Sequence, residues 1–292
     1  MLVSPAAGRG RGPALAADVL RVFRQAGFTP EVLPALTGPD AEQQARKAVA
    51  AGTRAVVAVG GDGTVHAALQ AVAGTSTPLA MIPAGTGNDL VRALGGPADP
   101  GAAARAAAED LAAGTIRAVD AGRTGDRWWA TVLCCGFDSA VSDRANRMRR
   151  PRGRRRYDVA VLAELARLRP RELTLVLDGV PQTVPVTMVA VGNTAWYGGG
   201  MKICPGADPA DGLFDVTVVG ATTRLELVRT KPRLMSGTHV DHPSVSVFRA
   251  ARVELSSPGV TTYADGEPVA PLPAVAECVP GALRVVGTGH GP

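Results

Sequence analysis

A chain of 292 residues, 46% of them hydrophobic, is long enough for two ordinary domains and can bury a sizeable core. Because only 4% of the residues are aromatic, this core must be built mainly from Ala, Val and Leu. The 31 basic and 26 acidic side chains give a net charge of +5, which favours a polyanionic partner without choosing between nucleotide, nucleic acid and anionic membrane. The four cysteines form no Cys-x-x-Cys pair, which argues against a zinc site or a disulfide framework.

The sequence carries no membrane-spanning or targeting signal. No apolar run approaches the roughly 20 residues that span a bilayer, and the start, Met-Leu-Val-Ser-Pro, lacks the pattern of a signal peptide. We therefore expect a cytoplasmic protein whose contact with the inner face of the membrane is transient and peripheral.

The first third of the chain alternates predicted helices and strands. Apolar residues at helical spacing and glycine stops predict helices at residues 13–26, 40–51, 65–73 and 90–94. Short apolar runs predict strands at residues 29–33, 54–59 and 79–82. This alternation predicts a parallel, doubly wound sheet, in which ligands bind at the loops leaving the carboxyl ends of the strands.

The pattern changes after about residue 120, where strands dominate. They are predicted at residues 128–134, 173–177, 183–191, 214–219, 245–248 and 253–255. Helices are predicted at residues 140–147, 157–168 and 223–235. We predict a nucleotide-binding α/β domain over residues 1–119, with residues 281–292 as a candidate return to it. A mostly β, sandwich-type acceptor domain follows over residues 120–280, with an active-site cleft between the two.

Two glycine-rich loops follow neighbouring predicted strands. Residues 60–64 read Gly-Gly-Asp-Gly-Thr, and residues 84–89 read Ala-Gly-Thr-Gly-Asn-Asp. Glycines let the backbone approach a ligand, and helix N-termini favour phosphate. A carboxylate such as Asp62 would repel bare phosphate but suits a phosphate-bound Mg²⁺. A tight strand–helix turn capped by Asp62 is the alternative for one loop alone.

Other nucleotide motifs are absent from the sequence. There is no Gly-x-x-x-x-Gly-Lys-Ser/Thr P-loop and no His-Arg-Asp kinase loop, and the chain has only three lysines. Backbone N–H groups, hydroxyls, arginine and metal must therefore hold any phosphates.

The paired loops resemble those of the diacylglycerol kinase catalytic-domain family, which includes bacterial lipid kinases and sphingosine kinases. The chain start at residues 4–8 is similar to the family's Asn-Pro-x-x-Gly element. Further similarities to its second domain lie at residues 136–138, 192–200, 205–214 and 265–267, and residues 237–253 resemble the bacterial soluble branch. The resemblance implies an NAD-kinase-like first domain and transfer of the γ-phosphate of Mg-ATP to a lipid hydroxyl, with diacylglycerol giving phosphatidic acid as the leading reaction.

The resemblance also implies roles for individual residues. The residues expected to hold the nucleotide and Mg²⁺ are Ser4, Pro5, Ala6, Ala7, Gly8, Gly61, Asp62, Gly63, Thr64, Thr86 and Asn88. The expected acidic and carbonyl metal positions are Asp89 and Asp120 in a water–magnesium network and Asp208, Asp211 and Leu213 at a structural metal. Glu267 resembles the general base. For Asp211-Gly212 and Asp265-Gly266 a plain β-turn is the alternative, and Ser4 replaces the family's usual Asn.

An arginine-rich segment at residues 144–156 is expected to dock on an anionic membrane, because each basic side chain near such a surface contributes about 1 kcal/mol. The residues singled out are Arg149, Arg150, Arg152 and Arg154. No nucleic-acid partner is expected, and a homodimer is left open. The alternatives are a kinase for a sphingoid base, monoacylglycerol or glycolipid, an NAD-kinase-like enzyme with a soluble acceptor, and a non-enzymatic nucleotide-sensing or polyanion-binding module.

Overall fold

A computed structural model describes residues 1–4, 12–33, 35–148, 150, 154–168 and 171–288. The chain divides into two compact units. The first comprises Met1–Ala121 and Trp128–Ala130 together with the chain from Val279 onward, and the second comprises Gly122–Arg127 and Thr131–Cys278. No helix in the described part is both long and apolar enough to cross a membrane.

The first unit contains five helices within its described residues. They are α1 (Gly12–Gln25), α2 (Gly38–Ala50), α3 (Asp62–Val72), α4 (Asp89–Ala93) and α5 (Pro100–Ala113). Its parallel sheet has the order β1-β2-β3-β14, formed by β1 (Leu2–Val3), β2 (Val56–Gly60), β3 (Leu79–Pro83) and the end of β14 (Ala274–Val286).

Both faces of this sheet are covered, because alternate strand residues enter two different cores. Ala58 and Met81 pack with α2 and α3, whereas Val59 and Ile82 pack with α1 and α5. Five buried strand residues in a row, as in β2, suit a sheet sandwiched between helices. The predicted doubly wound α/β fold is confirmed.

The second unit is an antiparallel β structure. Besides β14, two strands are shared between the units: β4 (Arg117–Thr124) belongs to the first unit as far as Ala121, and β5 (Arg127–Trp129) belongs to it from Trp128. The other strands of the second unit are β6 (Val132–Gly136), β7 (Arg171–Leu177), β8 (Val180–Gly192), β9 (Phe214–Gly220), β10 (Val245–Ala250), β11 (Arg252–Ser256), β12 (Thr261–Ala264), β13 (Glu267–Pro271) and the start of β14. The 13-residue β8 pairs with β7 and β6 along one side and with β9 on the other, which links the layers of the predicted sandwich. Its helices are α6 (Phe137–Arg147), α7 (Arg154–Ala166), α8 (Arg224–Ser236) and a 3₁₀ turn (Thr238–Asp241).

Two strand predictions need correction, and several elements were not predicted. Residues 29–33 form no strand, and only Leu33 makes an isolated bridge, to Leu2, since Pro30 lacks an N–H for a ladder. The strand predicted at residues 128–134 is broken, because Thr131 turns its N–H to the side chain of Asp265. The elements that were not predicted include helix α5, which Asp99 caps, and strands β4, β12, β13 and β14.

Candidate active site

Parallel pairing of β2 and β3 brings the two glycine-rich loops together. Gly60 at the end of β2 lies opposite Pro83 at the end of β3. The Ala84 N–H donates a hydrogen bond to the Gly60 carbonyl over 2.8 Å. The loops therefore leave the same edge of the sheet side by side, as the sequence predicts.

Asp62, at the start of α3, joins the first loop to the second. Its Oδ2 accepts a hydrogen bond from the Asn88 N–H at 3.0 Å, and its Oδ1 accepts one from the Asp89 N–H at 2.8 Å. Hydrogen bonds to a charged group are roughly twice as strong as neutral ones. The carboxylate thus holds the second loop against the first, a structural role that the sequence did not reveal.

The close approach of the loops explains their glycines. A Cβ added at Gly85 would lie 2.4 Å from the Gly61 Cα, and one at Gly87 would lie 2.4 Å from the Asp62 Oδ2. Neither position has room for a side chain without moving the other loop. The Gly-x-Gly spacing therefore serves loop-to-loop packing as well as any approach of a ligand.

Asn88 fixes the shape of the second loop. It adopts a left-handed backbone with φ of 55°. Its side-chain Oδ1 accepts from the Gly85 N–H at 3.1 Å, and its Nδ2 donates to the Gly85 carbonyl at 3.0 Å. Thr86, between them, is exposed, as is Gly63 in the first loop. Asn88 therefore presents Thr86 and the loop backbone to solvent.

The two acids predicted to accompany the loops are buried and bonded. Asp89 is 6% exposed and forms an ion pair with Arg92 at 2.9 Å. Asp120, on β4, is 3% exposed and accepts a hydrogen bond from the Gly281 N–H at 2.8 Å. Within the described part of the chain, no group of three or more His, Cys, Asp or Glu side chains could hold a metal ion.

The predicted opening element is described only at Ser4. The Ser4 N–H continues the β1–β2 ladder by donating to the Val59 carbonyl at 3.0 Å, which places Ser4 beside the end of β2. Pro5, Ala6, Ala7 and Gly8 lie outside the described residues.

In the second unit, Glu267 follows a two-residue hairpin turn between β12 and β13. Asp265 and Gly266 both have positive φ, 54° and 85°, and Ala264 pairs with Glu267 across the turn. These are the features of a type I′ turn, which Asp-Gly favours. The Glu267 side chain is exposed, so the turn presents a carboxylate to solvent.

Side chains from elsewhere in the unit anchor this hairpin. The Thr131 N–H and hydroxyl both donate to the Asp265 Oδ1, and the Asn146 side chain on α6 donates to the Gly266 carbonyl at 3.1 Å. Thr131 and Asn146 carry no motif that would have marked them. They hold the backbone next to Glu267 in one position.

The loop predicted to bind a structural metal is held by an ion pair in this structure. Asp211 accepts from the Leu213 N–H at 3.0 Å through Oδ1, and its Oδ2 is paired with Arg249. Asp208 accepts from the Ala210 N–H at 3.0 Å. Arg249 supplies positive charge to the loop, and the metal role of Asp208, Asp211 and Leu213 stays a prediction.

Two of the second-domain signatures meet at a shielded polar pair that was not predicted. The Tyr197 hydroxyl donates to the Asp138 Oδ2 over 2.6 Å. Removal from solvent raises the pKa of Asp138 to about 6, although the hydrogen bond from Tyr197 opposes this shift. Burial and the nearby Asp138 carboxyl raise the pKa of Tyr197 well above its usual value. The pair joins α6 to the segment that follows β8.

The arginine-rich segment is only partly described. Of the four arginines predicted to dock, Arg150 is exposed. The side chains of the other three lie outside the described residues: Arg149, Arg152 and Arg154. Arg144 forms an ion pair with Glu164 on α7. Docking by this segment stays a prediction.

Comparison with known proteins gives a consistent result over the whole chain. A family model described as the diacylglycerol kinase catalytic domain matches residues 1–124, and one described as the YegS C-terminal NAD kinase beta sandwich-like domain matches residues 131–287. The chain is 44% identical over 297 residues to a diacylglycerol kinase of Mycobacterium tuberculosis, covering 99% of this chain and 95% of the relative. It is 26% identical over 271 residues to a diacylglycerol kinase of Bacillus subtilis, covering 91% and 88%.

Solved structures share the fold. A diacylglycerol kinase from Bacillus anthracis aligns with a TM-score of 0.75 at 18% identity, covering 99% of this chain and 96% of that one. An NAD kinase from Archaeoglobus fulgidus aligns with a TM-score of 0.56 at 12% identity, covering 92% and 88%. The predicted family resemblance and the NAD-kinase-like fold are confirmed.

Proposed function

The chain belongs to the diacylglycerol kinase family and is a lipid kinase, and from that premise we propose that it transfers the γ-phosphate of Mg-ATP to the free hydroxyl of diacylglycerol. A bond forms between the acceptor oxygen and the γ-phosphorus, and the bond from that phosphorus to the β–γ bridging oxygen breaks. The products are phosphatidic acid and ADP.

The observation that carries the nucleotide part is the Asp62 link between the two loops. It fixes two glycine-rich backbones in advance, so that little ordering is needed when phosphates bind. Gly61, the N-cap of α3, has no side chain with which to cap the helix. The positive end of the helix is therefore suited to an anionic ligand.

Mg²⁺ fits the donors near the loops as a phosphate-bound ion. It is usually held by one or two carboxylates, waters and substrate phosphates, and not by an all-protein cage. Asp62 and Asp89 would hold the ion through oxygen atoms or waters, with Asp120 as the further acid. Bound there, Mg²⁺ would neutralise phosphate charge.

Glu267 is proposed as the general base that takes the proton from the acceptor hydroxyl. Its exposed carboxylate stands next to a turn that Thr131 and Asn146 hold in place. A general base contributes typically 10²–10⁴-fold to the rate of a proton-coupled step.

Diacylglycerol is proposed as the acceptor because it is in the name of the relative that is 44% identical over nearly the whole chain. The test offers purified protein labelled ATP and Mg²⁺ with diacylglycerol, a monoacylglycerol, a sphingoid base, a glycolipid or NAD. We expect label in phosphatidic acid. Label in another lipid would show that this lipid, and not diacylglycerol, is the acceptor. Label in NAD alone would refute a lipid substrate.

The role of Glu267 is tested by Glu267→Gln, with Glu172→Gln as the matched control on an exposed strand position of the same unit. We expect kcat to fall at least ~100-fold in the first variant and to stay near wild type in the second. The rise in melting temperature on adding Mg-ATP should persist in both. A normal kcat in Glu267→Gln would remove this residue from the mechanism.

A further inference from the structure

Helix α8 of the second unit has two opposite apolar faces. The inner face carries Leu227, Thr230 and Leu234, which are half-buried. With Met188 and Val245 they line a cavity of about 20 Å³, too small for more than about one water. Leu234 packs against the buried cluster that contains Met188, so the inner face is the side of the helix that contacts the unit.

The outer face of α8 is an apolar stripe exposed to solvent. Leu225, Val228 and Met235 are 57%, 52% and 55% exposed, and Pro232 is exposed as well. Their spacings of three, four and three residues place them in one row along a helix. Residues of the inner face occupy the opposite side, so this row points away from the core of the unit.

Basic side chains flank the stripe on both sides. At 3.6 residues per turn, Arg224 and Lys231 lie along one edge of the row, and Arg229 and Arg233 lie along the other. The one acid of the helix, Glu226, accepts hydrogen bonds from Thr222 and Thr223 at the N-cap. Four bases and one acid give α8 a net charge of +3.

We propose that α8 is the docking surface for an anionic lipid bilayer. A helix with an exposed apolar face and basic edges lies in the membrane plane, with its apolar side chains among the acyl chains and its bases at the headgroups. A second copy of the chain is a poorer occupant, since a twofold contact would bring like-charged edges together. The inference rests on the proposed function, in which the acceptor resides in a bilayer.

The experiment measures co-sedimentation of the purified full chain with vesicles of phosphatidylcholine containing phosphatidylglycerol at low salt. One variant removes the apolar row and the other removes the basic edges: Leu225→Gln, Val228→Gln and Met235→Gln together, and Arg224→Gln, Arg229→Gln, Lys231→Gln and Arg233→Gln together. Glutamine is a good helix former, so α8 should persist. Melting temperatures near that of the wild type verify folding.

Control variants remove the same number of exposed apolar or basic side chains elsewhere. They are Leu36→Gln, Ile116→Gln and Val180→Gln together, and Arg24→Gln, Arg46→Gln, Lys47→Gln and Arg105→Gln together. We expect each α8 variant to lose at least ~10-fold in vesicle affinity. The apolar row loses its contact with the acyl chains, and the basic edges lose their attraction to the anionic headgroups. The vesicle affinity of each control should change less than about twofold. High salt should weaken the wild type and spare the basic-edge variant.

Several outcomes would overturn the proposal. These are a wild type that does not bind anionic vesicles, α8 variants that bind as tightly as wild type, and controls that lose as much as the α8 variants. A wild-type dimer that the apolar-row variant dissociates, with vesicle binding unchanged, would assign the surface to a second copy. Because co-sedimentation needs no catalysis, vesicle binding through α8 without phosphate transfer to any lipid would refute the proposed function alone.

Discussion

Replacing Asp62 by Asn tests whether its carboxylate holds the two loops together. The change keeps the size of the side chain but turns one oxygen into an NH₂ group, which must face the N–H of Asn88 or Asp89. One hydrogen bond is lost and the other is no longer made to a charge. A net hydrogen bond to a charged group contributes about 1.5–3 kcal/mol. For a half-buried side chain we therefore expect a loss of about 2–3 kcal/mol.

Thermal unfolding with and without Mg-ATP measures this effect. A loss of that size lowers the melting temperature on the order of 5–10 °C, and the rise caused by Mg-ATP should shrink as well. The control is Asp99→Asn, since Asp99 accepts the Ala102 N–H at the N-cap of α5 over 2.7 Å and Asn caps helices equally well. If Asp62→Asn has the same melting temperature as Asp99→Asn and Mg-ATP raises it as much as in the wild type, the carboxylate neither joins the loops nor serves the nucleotide.

Two further perturbations probe backbone packing and a shielded acid. Gly85→Ala should lower the free energy of unfolding of the first unit by about 1–3 kcal/mol in urea, because the added Cβ would meet the Gly61 Cα. The control Gly38→Ala places its Cβ in open space and should change that free energy by less than ~0.5 kcal/mol. Equal effects of the two changes would contradict the close packing of the loops. The pKa of Asp138 is raised to about 6, so ionisation penalises the folded state increasingly as pH rises from about 4 through 6. Relative to wild type, Asp138→Asn should gain about 2 kcal/mol of stability between about pH 4.5 and pH 7.5, and a pH-independent difference would show that the carboxyl beside Tyr197 titrates normally.

Local patterns predicted most of the elements, and the failures have local causes. Helix α5 was missed because its buried face is largely alanine, as at Ala103, Ala104 and Ala107. Such a face gives little contrast between apolar and polar sides. Packing of these small side chains against Val57 and Ile82 makes the helix a core element, and that is a property of the assembled sheet.

The glycine loops and the Asp-Gly turn were visible in the sequence because a turn is specified within a few residues. The partners of those turns were not visible. Asp62 bonds to amides 26 and 27 residues away, and Asp265 bonds to Thr131 across 134 residues. Motif recognition placed Asp62 at a nucleotide but gave no sign that its two oxygens join the loops.

Helix α8 shows the same division most clearly. The sequence by itself determined a helix near residues 223–235 and its basic character, since helical periodicity and charge are local properties of the chain. Only the tertiary structure decided which of its two apolar faces contacts the unit, because folding brings Leu227 and Leu234 to Met188 and Val245, whereas Leu225 and Val228 are exposed. The periodicity of a sequence treats all apolar side chains alike. Contacts between residues far apart in the sequence decide which of them lie in the core and which lie on the surface.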